Sequence, residues 1–284
     1  MRINTNVASL NAQEAATNTN NNLRSSLEKL SSGLRINKAS DDASGLAIAD
    51  KLRTQASSIG QSISNGNSAV SLTQIADKAM AEQSNILDTV KQKLIQASTA
   101  TTSEEGRKAI GKDINKLLTQ LDNIASQTNY NGITLLQASA AGNDSSGKLD
   151  FQMGETKDNL ISLGSGITAN THGLQGMSGL KASAATGSMS AGDYRVHMAD
   201  VDSALNQLNS WRSDVGSTQN QLESALRNMM TQKTNIKAAE SVIRDVDYAQ
   251  ESANFNKQNI IAQAGTYAQS QANAIQQNIT RLLQ

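Results

Sequence analysis

Apolar residues recur every three or four positions over most of this chain, a spacing that predicts long amphipathic helices. The most regular stretch begins after Ala199, where an apolar residue occupies every seventh position up to Ile243. A strict seven-residue repeat predicts a supercoiled helix, here roughly 70 Å long. Its first line is Val201, Leu208, Val215, Leu222, Met229, Ile236 and Ile243, and the complementary line is Ala204, Trp211, Ala225, Ala239 and Val246.

The first half of the chain shows helical spacing twice. Apolar residues continue at helical intervals from Ala43 to about Ser98, which predicts a helix approaching roughly 80 Å. Thr102 followed by Glu105 has the sequence of a capping box, so a new helix is expected to begin there. It is expected to end before the turn sequence Asn-Tyr-Asn-Gly at 129–132. The apolar positions of this helix are Ile110, Ile114, Leu117, Leu121 and Ile124.

Each end of the chain carries a narrow apolar line that needs a partner helix. Near the start, the line is Leu23, Leu27, Leu30 and Leu34, with Ile36 shortly after it. Near the end, one apolar residue in seven gives Ile261, Ala268, Ile275 and Leu282, with Gly265, Ala272 and Ile279 as a second line. Two such lines predict that the ends of the chain lie against each other as a coiled coil.

Two regions interrupt the helical pattern. Residues 37–45, NKASDDASG, bond readily to nearby backbone and predict a joint, with Asp41 and Asp42 capping a helix that begins at about Ala43. Residues 133–195 are rich in Gly, Ser, Thr, Asn and Asp, and the segments 149–153 and 159–163 predict a β-hairpin. The predicted fold is mainly α, with long antiparallel helices in coiled-coil-like bundles and a small β-hairpin region in the middle.

Composition narrows the possible functions. The chain has 25 basic and 25 acidic side chains and a formal net charge of zero, so neither nucleic acid nor a membrane surface is an expected partner. It has no cysteine and no proline, and its start lacks the apolar run of an ordinary signal sequence. His172 and His197 are predicted to be surface residues, because neither lies in a metal-binding or catalytic spacing. We expect no enzyme activity, no cofactor and no metal site.

Four stretches of the sequence resemble bacterial flagellins. They are MRINTNVASLNAQ at the start, LEKLSSGLRINKASDDASGLAIADKLR at 27–53, QTNYNGITLL at 127–136, and the tail IRDVDYAQESANFNKQNIIAQAGTYAQSQANAIQQNITRLL at 243–283. The resemblance implies an inner filament-core domain of residues 1–44 and 245–284 and a helical rod domain of residues 45–138 and 196–244. Residues 139–195 would form a short β-rich outer segment.

The resemblance also implies a function and partners. The chain would be the structural subunit of an extracellular flagellar filament for swimming motility, exported unfolded through the flagellar secretion apparatus with the help of an export chaperone. Hook-associated and cap proteins would be further partners. The alternative is a hook–filament junction protein, which shares the terminal helices and differs in the middle of the chain.

The apolar lines suggest how such a subunit assembles. A terminal helix pair that exposes apolar residues beyond its mutual contact is expected to stay disordered until neighbouring copies bury it. The residues predicted to pack between subunits are Leu23, Leu27, Leu30, Leu34, Ile36, Ile261, Ala268, Ile275, Ile279 and Leu282.

Some flagellins are recognised by a Toll-like innate receptor through an Arg-rich segment of the first rod helix. The matching stretch here, 87–96, contains Leu87, Thr89, Val90 and Lys91, with Thr89 where an Arg is expected. The resemblance therefore predicts only weak recognition by such a receptor.

Overall fold

The computed structural model describes residues 5–137, 149–164, 167–187 and 189–282. These residues form six α-helices and two small antiparallel sheets, which confirms the prediction of a mainly α fold. The chain divides into two compact units, one of Met1–Ala56 with Thr234–Gln284 and the other of Ser57–Lys233. The elements are α1 (Val7–Ser32), α2 (Ala43–Ser98), α3 (Glu104–Gln127), β1 (Asn129–Tyr130), β2 (Ile133–Thr134), β3 (Leu149–Gln152), β4 (Leu160–Leu163), α4 (Met177–Thr186), α5 (Ala191–Arg244) and α6 (Tyr248–Leu282).

In the unit Ser57–Lys233, α2 and α5 run antiparallel. Asp77 of α2 forms an ion pair with Arg212 of α5, and Lys91, further along α2, forms one with Asp202, which lies earlier in α5. The two helices therefore run in opposite directions. The predicted seven-residue line on α5 is buried here from Val201 to Met229, and both α2 and α3 pack aliphatic side chains against it. The largest fully buried aliphatic side chains of these three helices are Met80, Leu87, Leu94, Ile114, Leu118, Leu121 and Leu208.

A polar contact fastens α4 and the loop before it to α3. The Asp122 carboxylate accepts hydrogen bonds from the Thr171 backbone N–H at 2.8 Å and the Thr171 hydroxyl at 2.9 Å. The Lys181 ammonium lies 2.5 Å from the same carboxylate. Beside this contact, Met177, Leu180 and Ala184 bury one side of α4 in the core.

Two helices begin at residues other than those predicted, and one helix was not predicted. The N-cap of α3 is Ser103, whose hydroxyl accepts from the Gly106 N–H at 3.1 Å, whereas the Thr102 hydroxyl donates to the Gln96 carbonyl. The helix α5 begins at Ala191, before the point where the apolar repeat begins, because Ser190 and Asp193 cap it reciprocally. The helix α4 was not predicted, and it lies within the region assigned to β-structure.

Both sheets are short hairpins. The strands β1 and β2 pair Tyr130 with Ile133, so Asn131 and Gly132 form the turn, with φ angles of 52° and 82°. Positive φ at both residues is the geometry that Asn-Gly turns favour. The predicted hairpin of 149–153 and 159–163 is confirmed, with Leu149 opposite Leu163 and Gln152 opposite Leu160.

Candidate assembly surface

The two terminal helices, α1 and α6, pack against each other in antiparallel orientation. At one end the Asn6 side-chain amide donates to the Ala272 carbonyl at 3.1 Å, and at the other the Tyr248 hydroxyl donates to the Leu30 carbonyl at 2.9 Å. Asn6 also caps α1 by accepting from the Ser9 N–H. The predicted pairing of the two ends is therefore confirmed.

The contact between α1 and α6 is made largely of small and polar residues. Thr19 and Ser26 are the buried residues of α1, and a Cβ built on Gly265 of α6 would meet nothing within 4 Å, so the pair is loosely packed at that point. The partly or fully buried positions along the two helices include Ser9, Ala12, Ala16, Thr19, Leu23, Ser26 and Leu30 on α1, and Ser252, Phe255, Gln258, Ala262, Gly265, Gln269 and Ala272 on α6.

Larger apolar side chains of the same two helices face away from this contact. Tyr267 is 74% exposed and Ile275 53% exposed, where an ordinary helix pair would bury such residues. We call this set the outward apolar face; it comprises Val7, Leu10 and Leu27 of α1 with Ile260, Ile261, Tyr267 and Ile275 of α6.

The predicted seam between the two helices is partly wrong. On α6, Ile261, Ala268 and Ile275 are exposed, whereas Gly265 and Ala272 of the second predicted line are partly buried, and the Ala272 carbonyl accepts from the Asn6 side chain. On α1, Leu27 is exposed, whereas Leu23, Leu30 and Leu34 are partly buried and Ile36 is buried. The side chains of Ile279 and Leu282 lie outside the described residues.

A short backbone contact, which we call the terminal joint, ties residues 33–35 to residues 244–246. The Arg35 N–H donates to the Arg244 carbonyl at 2.6 Å, and the Val246 N–H donates to the Gly33 carbonyl at 3.0 Å. Gly33 ends α1 with a φ of 74°, the left-handed conformation that glycine adopts most easily. The polar run at 37–45 predicted a joint directly after this contact, but no local sequence signal indicates that residues 33–35 pair with residues 244–246.

Asp41 and Asp42 organise the turn that follows the joint. The Asp42 carboxylate accepts from the Gly45 N–H at 2.9 Å, which confirms it as the cap of α2, and this bond lowers its pKa below the ordinary value. The Asp41 carboxylate accepts from the Lys38 and Asn37 N–H groups at 2.9 and 3.0 Å, which lowers its pKa too. Both acidic groups thus bind backbone, but only Asp42 caps α2; the prediction that Asp41 also caps this helix is wrong, because its carboxylate binds the loop before the helix.

The segment compared with the innate-receptor site is largely occupied by contacts within the protein. Leu87 and Val90 are fully buried, and the Lys91 ammonium forms an ion pair with Asp202. Thr89 is exposed, and its hydroxyl donates to the Asn85 carbonyl at 2.9 Å. Only Thr89 of the four residues is therefore freely presented.

The structure contains little that resembles a catalytic or metal site. Within the described ranges, no group of three or more His, Asp or Glu side chains is placed to hold a metal ion, and no helix is long and apolar enough to cross a membrane. His172 is exposed as predicted. His197 is more buried than predicted, with its side chain 15% exposed and its Nδ1 atom 2.8 Å from the Asp200 carboxylate.

Comparison with known proteins places the chain in a family. Residues 3–141 match the bacterial flagellin N-terminal helical region, and residues 198–283 match the bacterial flagellin C-terminal helical region. The chain is 35% identical to the flagellar filament 30.7 kDa core protein of Treponema maltophilum and 34% identical to flagellin of Bacillus subtilis, in both cases over 100% of each chain. It is also similar to the crystal structure of Bacillus cereus flagellin, with a TM-score of 0.50 and 25% identity over 62% of this chain and 94% of that one.

These matches define a structural protein of the bacterial flagellum. The chain belongs to the bacterial flagellins.

Proposed function

We propose that this chain is the subunit of an extracellular flagellar filament and that its outward apolar face is buried between copies during assembly. The observation that carries the proposal is the exposure of the outward apolar face, whereas the partly or fully buried positions of α1 and α6 are mostly small or polar. Full-length similarity to a filament core protein supports the filament function over the hook–filament junction alternative.

The free energy available to assembly can be worked from the exposure of this face. Full burial of an exposed Val, Leu or Ile side chain contributes about 1.5–3 kcal/mol, so side chains already half covered would each contribute about 1 kcal/mol more. Seven such residues supply several kcal/mol per subunit, which a loosely packed pair in isolation lacks. The terminal helices would therefore gain much of their order from neighbouring subunits, so that folding and assembly are coupled.

The shape of the assembly follows from the type of contact. A contact that joins different faces of successive copies, and that does not close into a ring, repeats into an open helical polymer. Leu23, Leu30, Leu34 and Ile36 would support this polymer indirectly, by holding α1 and the terminal joint in place, whereas Leu27, Ile261 and Ile275 would contact other subunits.

The proposed route and partners rest on family membership. We propose export in an unfolded state through the flagellar secretion apparatus, with an export chaperone covering the C-terminal segment before export, and contacts to hook-associated and cap proteins at the filament ends. We also propose weak recognition by a Toll-like receptor, supported by the burial of Leu87 and Val90 and by the pairing of Lys91. Thr89→Arg should then strengthen receptor activation by the purified monomer, and strong activation by the unaltered monomer would contradict the proposal.

The assembly proposal is tested by placing the same charge at two exposed positions of α6. Ile261→Glu places a carboxylate on the outward apolar face, and Gln263→Glu places one on a polar position that is also exposed. We expect electron microscopy to show filaments from Gln263→Glu and none from Ile261→Glu, with unchanged near-ultraviolet circular dichroism from Trp211 in both. Equal polymerisation of the two variants would refute the role of this face, and failure of the unaltered chain to form long filaments alone would favour the junction alternative.

A further inference from the structure

We propose that Asn131 is a site of spontaneous deamidation, at which the turn between β1 and β2 converts to aspartate and isoaspartate. Asn131 precedes Gly132, which has no side chain to hinder attack by its backbone nitrogen on the Asn131 side chain. Both residues are exposed, and a Cβ built on Gly132 would meet nothing within 4 Å. Water and a base can therefore reach the reacting atoms from open solvent.

The attacking nitrogen is also free of competing bonds. Gly132 lies in the turn outside the ladder, and its N–H has no backbone acceptor among the residues that the structure describes. The Asn131 side-chain amide likewise has no hydrogen-bond partner among them. The strands β1 and β2 have two residues each, and so short a ladder opens locally at low cost. Such opening gives Asn131 the backbone rotation that ring closure requires.

The chain provides a matched control in its second described Asn-Gly pair, Asn65 and Gly66. Asn65 is exposed as well, but Gly66 lies within α2, where its N–H is engaged in the helical hydrogen-bond pattern. Gly66 is buried, and a Cβ placed on it would come within 2.8 Å of Leu226 and Met153 side-chain atoms. The two pairs therefore share the chemistry and differ in the availability of the nucleophile.

The reaction needs only water and a base. The Gly132 amide nitrogen loses its proton and bonds to Cγ of Asn131, while the bond from Cγ to Nδ2 breaks and Nδ2 leaves as ammonia with that proton. Water then opens the succinimide ring at one of its two carbonyls. Opening at one carbonyl gives aspartate, and opening at the other gives isoaspartate, in which the main chain runs through Cγ.

Isoaspartate would change the hairpin more than aspartate. It adds a methylene group to a two-residue turn whose strands are fixed in register by Tyr130 and Ile133. The buried residues Leu135 and Leu136 follow directly after β2, so a shift of β2 would displace them from their positions in the core. Isoaspartate at this turn would therefore accumulate with time at a position where it disturbs packing.

The test is incubation of the full chain in mildly alkaline buffer, followed by peptide mapping that resolves asparagine, aspartate and isoaspartate at both positions. In the folded chain we expect conversion at Asn131 to be at least about tenfold faster than at Asn65, because the helix must open before Gly66 can react. In the chain unfolded by denaturant, we expect the two rates to agree within a few fold. Asn131→Gly, which tolerates the left-handed turn, should remove the signal at this position and leave Asn65 unchanged.

Two results would overturn the proposal. One is equal conversion at Asn65 and Asn131 in the folded chain, which would mean that the structure does not control the reaction. The other is conversion of Asn131 in the unfolded chain but not in the folded chain, which would show that the hairpin protects it. Neither result depends on filament formation.

Discussion

Leu94 and Ile95 provide a sharp test of how α2 is oriented in the core. They are neighbours with isomeric side chains, yet Leu94 is fully buried and Ile95 is 51% exposed. Leu94→Ala removes buried carbon atoms and leaves a cavity, which should cost about 2.7–5 kcal/mol of the free energy of unfolding. Ile95→Ala should cost about 1 kcal/mol or less, since much of the side chain already contacts water and alanine is the better helix former.

The difference between these two variants is large enough to measure in urea. With a slope of about 1–3 kcal/mol per molar urea, Leu94→Ala should lower the midpoint of unfolding by about 1 M or more, and Ile95→Ala by much less. Circular dichroism at a helical wavelength follows both transitions on dilute monomer. Equal midpoints for the two variants, or a larger shift for Ile95→Ala, would show that α2 presents a different face to the core.

Three further predictions concern contacts described above. Asp122→Ala should lower the free energy of unfolding by about 2–3 kcal/mol and Lys181→Ala by less, because only the first variant leaves the Thr171 backbone N–H unpaired. Urea unfolding measures both losses, and equal losses would contradict this reasoning. Gly33→Ala should lower the local stability by about 1 kcal/mol, because Gly33 has a left-handed φ, and hydrogen exchange of residues 30–36 measures this loss. Gly216→Ala, in open space within α5, should instead raise the urea midpoint of unfolding. A stabilising effect of Gly33→Ala would contradict the left-handed conformation. Because the pKa of Asp42 is lowered, its capping contribution to stability is present above the ordinary carboxyl pKa and is lost as the pH falls through the lowered value. Asp42→Asn should abolish this pH dependence in an NMR titration of residues 42–45. An unchanged titration would refute the role of the Asp42 carboxylate.

Much of the helical architecture could be predicted from the sequence because its signals are local and repetitive. The repeat on α5 is confirmed as the buried line from Val201 to Met229, and the bounds of α2 match the predicted range. The cap at Asp42 and the turn at Asn131 also follow from residue type alone, since few other residues satisfy those backbone geometries. Most helices and turns could therefore be predicted from regular apolar spacing and from the residue types that turns require.

The missed features depend on what each face of a helix contacts. Two lines on α6 are compatible with a coiled coil, and periodicity cannot tell which line contacts α1 and which remains exposed. The exposed residues Tyr267 and Ile260 lie outside both lines, and their apolar character on a polar helix was the signal that could have found them. The cap of α3 was misplaced by one residue because Thr102 and Ser103 offer the same hydroxyl group.

The division of the chain into inner, rod and outer segments stays a prediction. The division between the two compact units falls at residue 56 of α2 and residue 234 of α5, whereas the sequence placed the boundary at the polar joints near residues 44 and 245. Limited proteolysis of the monomer would show which positions separate an ordered from a disordered part.

The terminal contacts join parts of the chain that are very far apart in sequence. The Asn6 amide and the Ala272 carbonyl are separated by 266 positions, and the Arg35 guanidinium and the Ile243 carbonyl by 208. Closing loops of this length costs entropy and comes late in folding. A chain delivered one end first cannot complete the contact of Asn6 with Ala272 until nearly its last residue has arrived, and it cannot form the contact of Arg35 with Ile243 until most of its length has arrived. Its leading terminus therefore travels without its partner, and the order of delivery itself delays the pairing.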